Sequence, residues 1–195
     1  MDGILLDTSR CHARAYADLW QRYRVEGPEY SLIAGRPTRE VVEPYTRDVA
    51  EWVAFKQERA REYLRSDAVR FSDVQPCLEA IHAIGYGMGV ATGASRRTAE
   101  MLLDGAGIAG FFRFVLTAED VSRGKPHPEI YRRAAELAGM ETVVAEDSAA
   151  GLQAAACAPT LVASIRSGLT IESPYFVGSF PTLVEFTEAL GVEVG

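Results

Sequence analysis

The sequence has few cysteines, no long apolar run and no excess of basic residues. Its three cysteines, Cys11, Cys77 and Cys157, are widely spaced and form no CxxC or CxxH pattern, so they indicate neither a disulfide framework nor a zinc clip. No apolar segment reaches the length of a membrane span or reads as a signal peptide. These absences predict a cytoplasmic protein without a membrane partner.

Acidic residues outnumber basic ones by 27 to 20, and the net charge is −7 with a pI near 5.1. Binding to a nucleic-acid backbone requires clustered Lys and Arg, so we expect no nucleic-acid partner. The composition, 48% hydrophobic and 24% charged, is typical of a globular domain and excludes the disordered class. The length of 195 residues suffices for one domain with a small insert. The sequence does not indicate the oligomeric state.

The periodicity of apolar residues changes along the chain. Over residues 10–68 it is helical, with breaks at Gly27-Pro28 and Gly35-Arg36-Pro37. After residue 69, short apolar runs alternate with amphipathic stretches, which predicts strands at 87–92, 113–116, 142–146 and 160–165 and helices at 75–84, 95–106, 127–138, 149–157 and 181–190. This alternation is typical of an α/β fold with a doubly wound, Rossmann-like parallel sheet. We therefore expect an α/β core formed by residues 1–9 and 69–195, with residues 10–68 as a small α-helical cap domain.

Ligands of doubly wound sheets bind at the carboxyl ends of the strands, and two acidic residues stand at such an end. Glu146 and Asp147 close the predicted strand 142–146 and precede the next helix. Carboxylates suit Mg²⁺, which takes one or two of them and completes its shell with water and phosphate oxygens. The alternative is that the two acids only cap the helix.

Lys125 lies in Gly124-Lys125-Pro126-His127-Pro128, where the prolines stiffen the loop. An ammonium held in a fixed position can neutralise a phosphoryl group. The alternative is an ordinary solvated lysine.

The turn Thr92-Gly93-Ala94 follows the predicted strand 87–92. It offers a hydroxyl and unhindered backbone N–H groups, which can bind a phosphate at the start of a helix. The alternative is a βα turn that needs glycine for its geometry alone.

Three segments together resemble the haloacid dehalogenase superfamily, and within it the phosphatases and β-phosphoglucomutase-like enzymes with a helical cap: MDGILLDT at 1–8, GKPHPEIY at 124–131 and VVAEDSAAGLQAA at 143–155. The resemblance implies a phosphatase that acts on a small phosphorylated metabolite through an aspartyl-phosphate. By the same resemblance, Glu146 and Asp147 would hold Mg²⁺, with the backbone carbonyl of Asp2 as a further ligand. Lys125 would balance the charge of the phosphoryl group, Thr92 with Gly93 and Ala94 would bind it, and Asp2 would act as general acid and base.

The segment MDGILLDT resembles the second half of the family's DxDG motif, so the position of the nucleophilic aspartate falls just before Met1. The resemblance also places a buried apolar strand before that aspartate, the first strand of the core. Its loss would forfeit on the order of 10 kcal/mol. We therefore expect the natural protein to begin upstream. The alternative functions are a sugar-phosphate mutase and a non-catalytic member that binds Mg²⁺ and phosphate.

The expected cap carries weaker signals. His12 resembles a histidine that opens the cap in the mutase-like branch, and Arg36 or Arg39 lies where that branch contacts its substrate; surface positions explain them equally well. Lys56 and Arg59 either reach a second phosphate or lie on a solvated helix face. His82, among apolar residues of a predicted helix, is expected to be partly buried and structural.

Overall fold

The computed structural model describes residues 1–34 and 36–195 and divides into two compact units. The first unit comprises Met1–Leu6 and Arg70–Gly195, and the second comprises Asp7–Val69. The expected cap, residues 10–68, falls inside the second unit. Gly35, part of a predicted break, lies outside the described residues.

The second unit is helical. Its helices are α1 (Ser9–Tyr23), α2 (Tyr30–Ile33), α3 (Thr38–Val42) and α4 (Val49–Asp67), with a 3-10 turn at Glu43–Tyr45. The buried residues of α4 recur every fourth position, which is the spacing of one helix face: Trp52, Lys56, Ala60 and Leu64. The side chain of Asp48 caps α4 by accepting the N–H of Glu51 at 3.3 Å.

An aromatic cluster forms the core of the second unit between α1 and α4. The ring of Tyr23 stacks on that of Trp52 with centroids 4.2 Å apart, and Tyr16 stacks on Trp20 at 5.7 Å. Aromatic pairs add about 0.5–1.5 kcal/mol beyond the area that they bury. These rings allow a unit of this small size to form its own core.

The first unit alternates strands and helices, as predicted. Its strands are β3 (Met88–Ala91), β4 (Phe112–Leu116), β5 (Val143–Glu146), β6 (Leu161–Ile165) and β7 (Phe176–Phe180). Its helices are α5 (Val74–Ala83), α6 (Arg96–Gly105), α7 (Glu129–Ala138), α8 (Ala149–Ala156) and α9 (Leu183–Ala189). Two-residue strands β1 (Leu6–Asp7) and β2 (Val69–Arg70) pair separately. The α/β prediction is confirmed, and β7 is an element that the sequence analysis does not predict.

Every strand pair of the first unit with a described register is parallel. Strand β3 pairs with β4, with Val90 opposite Val115. Strand β6 lies between β5 and β7, with Ala163 opposite Ala145 and Gly178. Parallel pairing brings the carboxyl ends of neighbouring strands to the same edge of each sheet.

An apolar groove of about 690 Å³ lies in the first unit and is lined by residues of both β3 and β5. Within the described residues, β3 is hydrogen-bonded only to β4 and β5 only to β6, so each strand has an edge without a strand partner. Leu78, Val90, Val144, Leu183 and Phe186 contribute apolar side chains to the lining, and Met1 also lines it. The groove therefore joins two sheet edges with apolar walls.

His82 is exposed, with its ring centroid 6.0 Å from that of Phe111, so the prediction of a partly buried histidine is wrong. Cys11, Cys77 and Cys157 are free thiols. None of the helices in the described part of the chain is both long and apolar enough to cross a membrane.

Arg166, just after β6, links separate segments of the first unit. Its guanidinium forms an ion pair with Asp73 and donates to the carbonyl of Ile4 at 3.4 Å. It also lies 4.0 Å from the ring centroid of Phe71. Asp73 in turn accepts the N–H of Leu183 at 3.0 Å. The arginine thus ties the first residues of the chain to the starts of α5 and α9.

We expect Arg166→Ala to lower the free energy of unfolding by about 2 kcal/mol, since it leaves the mostly buried Asp73 carboxylate without its cation. Urea denaturation measures the change. Arg97→Ala, at an exposed position of α6, is the control and should change stability by less than about 0.5 kcal/mol. Equal losses in the two variants would contradict this role of Arg166.

Candidate active site

Lys125 connects the carboxyl ends of β3 and β5. Its ammonium forms an ion pair with Glu146, the last residue of β5, and donates to the carbonyl of Ala91, the last residue of β3, at 3.4 Å. The side chain of Lys125 is 18% exposed and that of Glu146 is 7% exposed. The lysine is therefore held in the protein and is not the solvated residue that the alternative interpretation expected.

Five donors surround the two carboxylate oxygens of Glu146. Lys125 and the hydroxyl of Tyr131 both donate to Oε1. Oε2 accepts the N–H of Asp147 at 3.1 Å, the N–H of Ser148 at 3.3 Å and the hydroxyl of Ser148 at 3.0 Å. Burial alone would raise the pKa of Glu146, but Lys125 and the hydrogen bonds lower it to about 2. Glu146 is thus ionised, and both of its oxygens are engaged.

The buried ion pair also affects Tyr131. Burial, followed by the negative charge of Glu146, raises the pKa of the Tyr131 hydroxyl well above its ordinary value. The hydroxyl therefore stays protonated and donates to the carboxylate. Tyr131 belongs to the GKPHPEIY segment, yet the sequence analysis gives it no role. Its position six residues after Lys125, in the first turn of α7, is the feature from which a contact near the lysine could have been predicted.

Asp147 follows β5 and differs from Glu146 in its surroundings. No other side chain among residues 1–34 and 36–195 donates a hydrogen bond to its carboxylate. Burial, and then the charge of Glu146, raise the pKa of Asp147 to about 6, and Asp2 adds to the repulsion. The adjacent carboxylates are therefore distinct: Glu146 is paired with Lys125, whereas no Lys, Arg or His side chain in the described chain forms an ion pair with Asp147.

The segment that carries Asp2 lies against Asp147. Gly3 has a φ of +66°, and a Cβ at this position would lie 1.8 Å from Oδ2 of Asp147. Only glycine fits this approach. Asp2 is half-buried and forms a single parallel bridge to Leu6. Asp2 and Asp147, both predicted as site residues, are thus brought to the same edge of the first unit.

The predicted phosphate turn lies at the end of β3. Thr92 is buried, donates its N–H to the carbonyl of Leu116 at 2.9 Å, and accepts the N–H of Ala94 on its hydroxyl at 3.2 Å. Gly93 is exposed, and no atom would lie within 4 Å of a Cβ there. Since Lys125 donates to Ala91, the lysine and this turn lie side by side.

The predicted cap residues belong to the second unit. His12 is half-buried, with Nδ1 3.2 Å from the ammonium of Lys56. Lys56 is buried, 7% exposed, and lies 4.7 Å from the ring centroid of Tyr16, so the alternative of a solvated helix face is wrong for it. Arg36 is exposed and lies 4.0 Å from Glu40. Arg59 forms an ion pair with Asp18 at 2.7 Å.

The carboxylates of the first unit fit a magnesium ion. Among the described residues, no group of three or more His, Cys, Asp or Glu side chains is arranged to hold a metal. Magnesium, however, needs only one or two protein carboxylates. Asp147 and Asp2 supply hard oxygen donors, and Gly3 allows the backbone to approach them closely. Glu146 fits less well as a ligand because hydrogen bonds engage both of its oxygens.

Gly151, in α8, makes room for the buried ion pair. A Cβ on Gly151 would lie 2.0 Å from the carboxylate carbon of Glu146. We expect Gly151→Ala to lower the free energy of unfolding by about 2 kcal/mol, since the buried pair must shift. Urea denaturation measures the loss.

Gly105→Ala is the matched control, because Gly105 also lies in a helix and no atom would meet its Cβ within 4 Å. It should leave stability unchanged or raise it by up to about 1 kcal/mol, since alanine favours the helix. If Gly151→Ala is as well tolerated as this control, the close packing on Glu146 is not a constraint.

Two of the proteins to which this chain is similar are phosphatases. Validoxylamine A 7'-phosphate phosphatase of Streptomyces hygroscopicus subsp. limoneus is 29% identical over 172 residues, which cover 80% of this chain and 78% of that protein. Fructose-1-phosphate phosphatase of Escherichia coli K12 is 28% identical over 178 residues, covering 85% and 93%. A haloacid dehalogenase-like family hydrolase from Streptococcus pneumoniae has the same fold, with a TM-score of 0.82 at 16% identity over 97% of this chain and 95% of that one.

The family model of the haloacid dehalogenase-like hydrolases matches residues 1–165 of the chain. This match includes every predicted site residue, from Asp2 to Asp147. The family inferred from the three sequence segments is confirmed: the chain belongs to the haloacid dehalogenase-like hydrolases.

Proposed function

We propose that this chain belongs to a Mg²⁺-dependent phosphatase that acts on a small phosphomonoester. The observation that carries the proposal is the position of Lys125, held between Ala91 and Glu146 beside the Thr92 turn. A fixed cation, backbone N–H groups and free carboxylates at one edge are what phosphoryl transfer requires. The relatives named as phosphatases of sugar-like phosphates support this reaction class.

Lys125 would contact the phosphoryl group and balance its charge. Its own charge is matched by Glu146, which we propose acts as the residue that positions the lysine and not as a direct metal ligand. Thr92, with the N–H groups of Gly93 and Ala94, would hold the phosphoryl oxygens. These groups are fixed before the substrate arrives, so little reorganisation is needed.

Asp147, through its carboxylate, and Asp2, through its backbone carbonyl, would hold the magnesium ion, which leaves the Asp2 carboxyl group available for proton transfer. When bound, the ion would supply positive charge that offsets the repulsion between carboxylates and phosphate. Asp2 would also donate a proton to the leaving alcohol oxygen and later remove one from the attacking water.

The nucleophile of the proposed reaction is an aspartate at the motif position before Met1. Its carboxylate oxygen would form a bond to phosphorus as the bond to the alcohol breaks, and water would then hydrolyse the aspartyl-phosphate. The groove between β3 and β5 supports an apolar strand that leads to this aspartate, because it offers two sheet edges and apolar walls and includes Met1. A strand parallel to β3 and β5 would end at the edge that carries Lys125 and Asp147.

Substrate selection would fall to the second unit. His12 and Arg36 are the residues that we propose contact the part of the substrate beyond its phosphate. A sugar-phosphate mutase would use the same phosphoryl site and return the group to another hydroxyl, so the two reactions differ in the acceptor alone.

We expect the 195-residue chain to leave an aryl phosphate intact in the presence of Mg²⁺, and a version extended by an apolar strand ending in Asp to hydrolyse it. In the extended version, Lys125→Met should lower kcat by on the order of 10²–10³-fold, whereas Arg97→Gln, at an exposed site, should not. Release of phosphate measures both effects.

Hydrolysis by neither version would overturn the proposed phosphatase in favour of a non-catalytic binding protein. Turnover of β-glucose 1-phosphate without release of phosphate would favour the mutase.

Magnesium binding can be measured on the 195-residue chain itself by isothermal titration calorimetry. We expect Asp147→Asn to weaken binding at least tenfold, since a carboxylate ligand is lost. Asp104→Asn removes the same charge from an exposed position of α6 and should bind Mg²⁺ as the unchanged chain does. Equal affinities for all three proteins would exclude Asp147 as a ligand.

A further inference from the structure

Lys125 lies in a loop that leads from residue 121 to the start of α7, and this loop is held from one side by a single carboxylate. Glu129, the first residue of α7, accepts the N–H of Ser122 at 2.9 Å and the Ser122 hydroxyl, also at 2.9 Å. It also accepts the N–H of Arg123 at 3.1 Å. The donors lie six or seven residues before Glu129 in the sequence, so these bonds close a loop that contains Lys125.

The charge of Glu129 strengthens these contacts. Hydrogen bonds to an ionised acceptor are shorter and stronger than those between neutral groups. The bonds from Ser122 lower the pKa of Glu129 below its ordinary value. Two other groups face this carboxylate: the charge of Arg133 also favours its ionised form, and Nδ1 of His127 lies 3.8 Å from it. Glu129 therefore remains a carboxylate at neutral pH, and the loop remains closed.

The far end of the loop is fixed as well. The N–H of His127 donates to the carbonyl of Gly124 at 3.0 Å, and the N–H of Glu129 donates to Nδ1 of His127 at 3.3 Å. Backbone on both sides of Lys125 is thus connected to Glu129. Before the lysine, the N–H groups of Ser122 and Arg123 donate to the Glu129 carboxylate; after it, His127 accepts the N–H of Glu129. The ammonium of Lys125 can then reach Ala91 and Glu146 together.

We infer that Glu129 is a positioning residue: its carboxylate closes the Ser122–Glu129 loop and thereby sets the position of the Lys125 ammonium. The inference rests on the proposed function for its effect on catalysis, but its effect on Lys125 can be measured without any activity. A glutamine retains one carbonyl oxygen and replaces the other with an NH₂ group, which cannot accept the bonds from Ser122 and Arg123.

The sequence provides an internal reference for this measurement, because it contains two lysines, Lys125 in the first unit and Lys56 in the second. Acylation of the 195-residue chain by a small amine reagent, followed by mass spectrometry, gives the ratio of modification at Lys125 to that at Lys56. In Glu129→Gln we expect this ratio to rise by about fivefold or more, since Lys125 is released from its buried position, while the rate at Lys56 stays the same. Glu136→Gln, at an exposed position of the same helix, is the matched control and should leave the ratio unchanged.

An unchanged ratio in Glu129→Gln would overturn the inference whatever the phosphatase assay gives. Equal acceleration at Lys125 and Lys56 would also overturn it, since this pattern reports general unfolding. In the extended version with activity, Glu129→Gln should lower kcat on the order of tenfold with a smaller change in KM, because a misplaced cation costs most in the transition state. A changed ratio together with no activity in any version would leave the positioning of Lys125 intact and refute the proposed function.

Discussion

The buried ion pair between Lys125 and Glu146 is the interaction on which the rest of the first unit's edge depends. Removing two charges from water is costly, and their attraction compensates only if the remaining hydrogen-bonding capacity is also satisfied. Tyr131 and Ser148 satisfy Glu146, and Ala91 accepts from Lys125. The pair joins the ends of two strands that belong to different hydrogen-bonded sheets, so its geometry determines where Thr92 and Asp147 lie relative to each other.

The sequence predicts that these candidate residues lie near one another, because parallel strands bring their carboxyl ends to one edge. Thr92 follows β3, Lys125 lies in the loop before α7, and Glu146 and Asp147 lie at the end of β5. All of them belong to the first unit. The sequence does not distinguish the two adjacent acids. Successive side chains of a strand point in opposite directions, and only the structure shows that Glu146 faces Lys125 while Asp147 faces Gly3.

Other features escape prediction for different physical reasons. Strand β7 is five residues long and lies in a segment rich in Gly, Ser and Pro, and its pairing with β6 is a tertiary contact that local sequence does not encode. The burial of Lys56 could have been inferred, since it lies four residues after Trp52 and four before Ala60 on the buried face of α4. A charged residue within such a stripe signals a polar partner, here His12. The exposure of His82 could not have been inferred, since its neighbours in sequence are apolar.

Glu146 and Asp147 differ in how far neighbouring groups compensate the charge of each carboxylate. Both carboxylates are largely removed from water, which favours their neutral forms. Glu146 remains ionised because Lys125 and four further donors compensate its charge, whereas burial and the nearby acids raise the pKa of Asp147. Since the charge of the lysine is already matched, it cannot also neutralise Asp147 and Asp2. The proposed phosphatase would therefore need a second cation at this edge, and Asp147 beside Gly3 is the place that we propose for it.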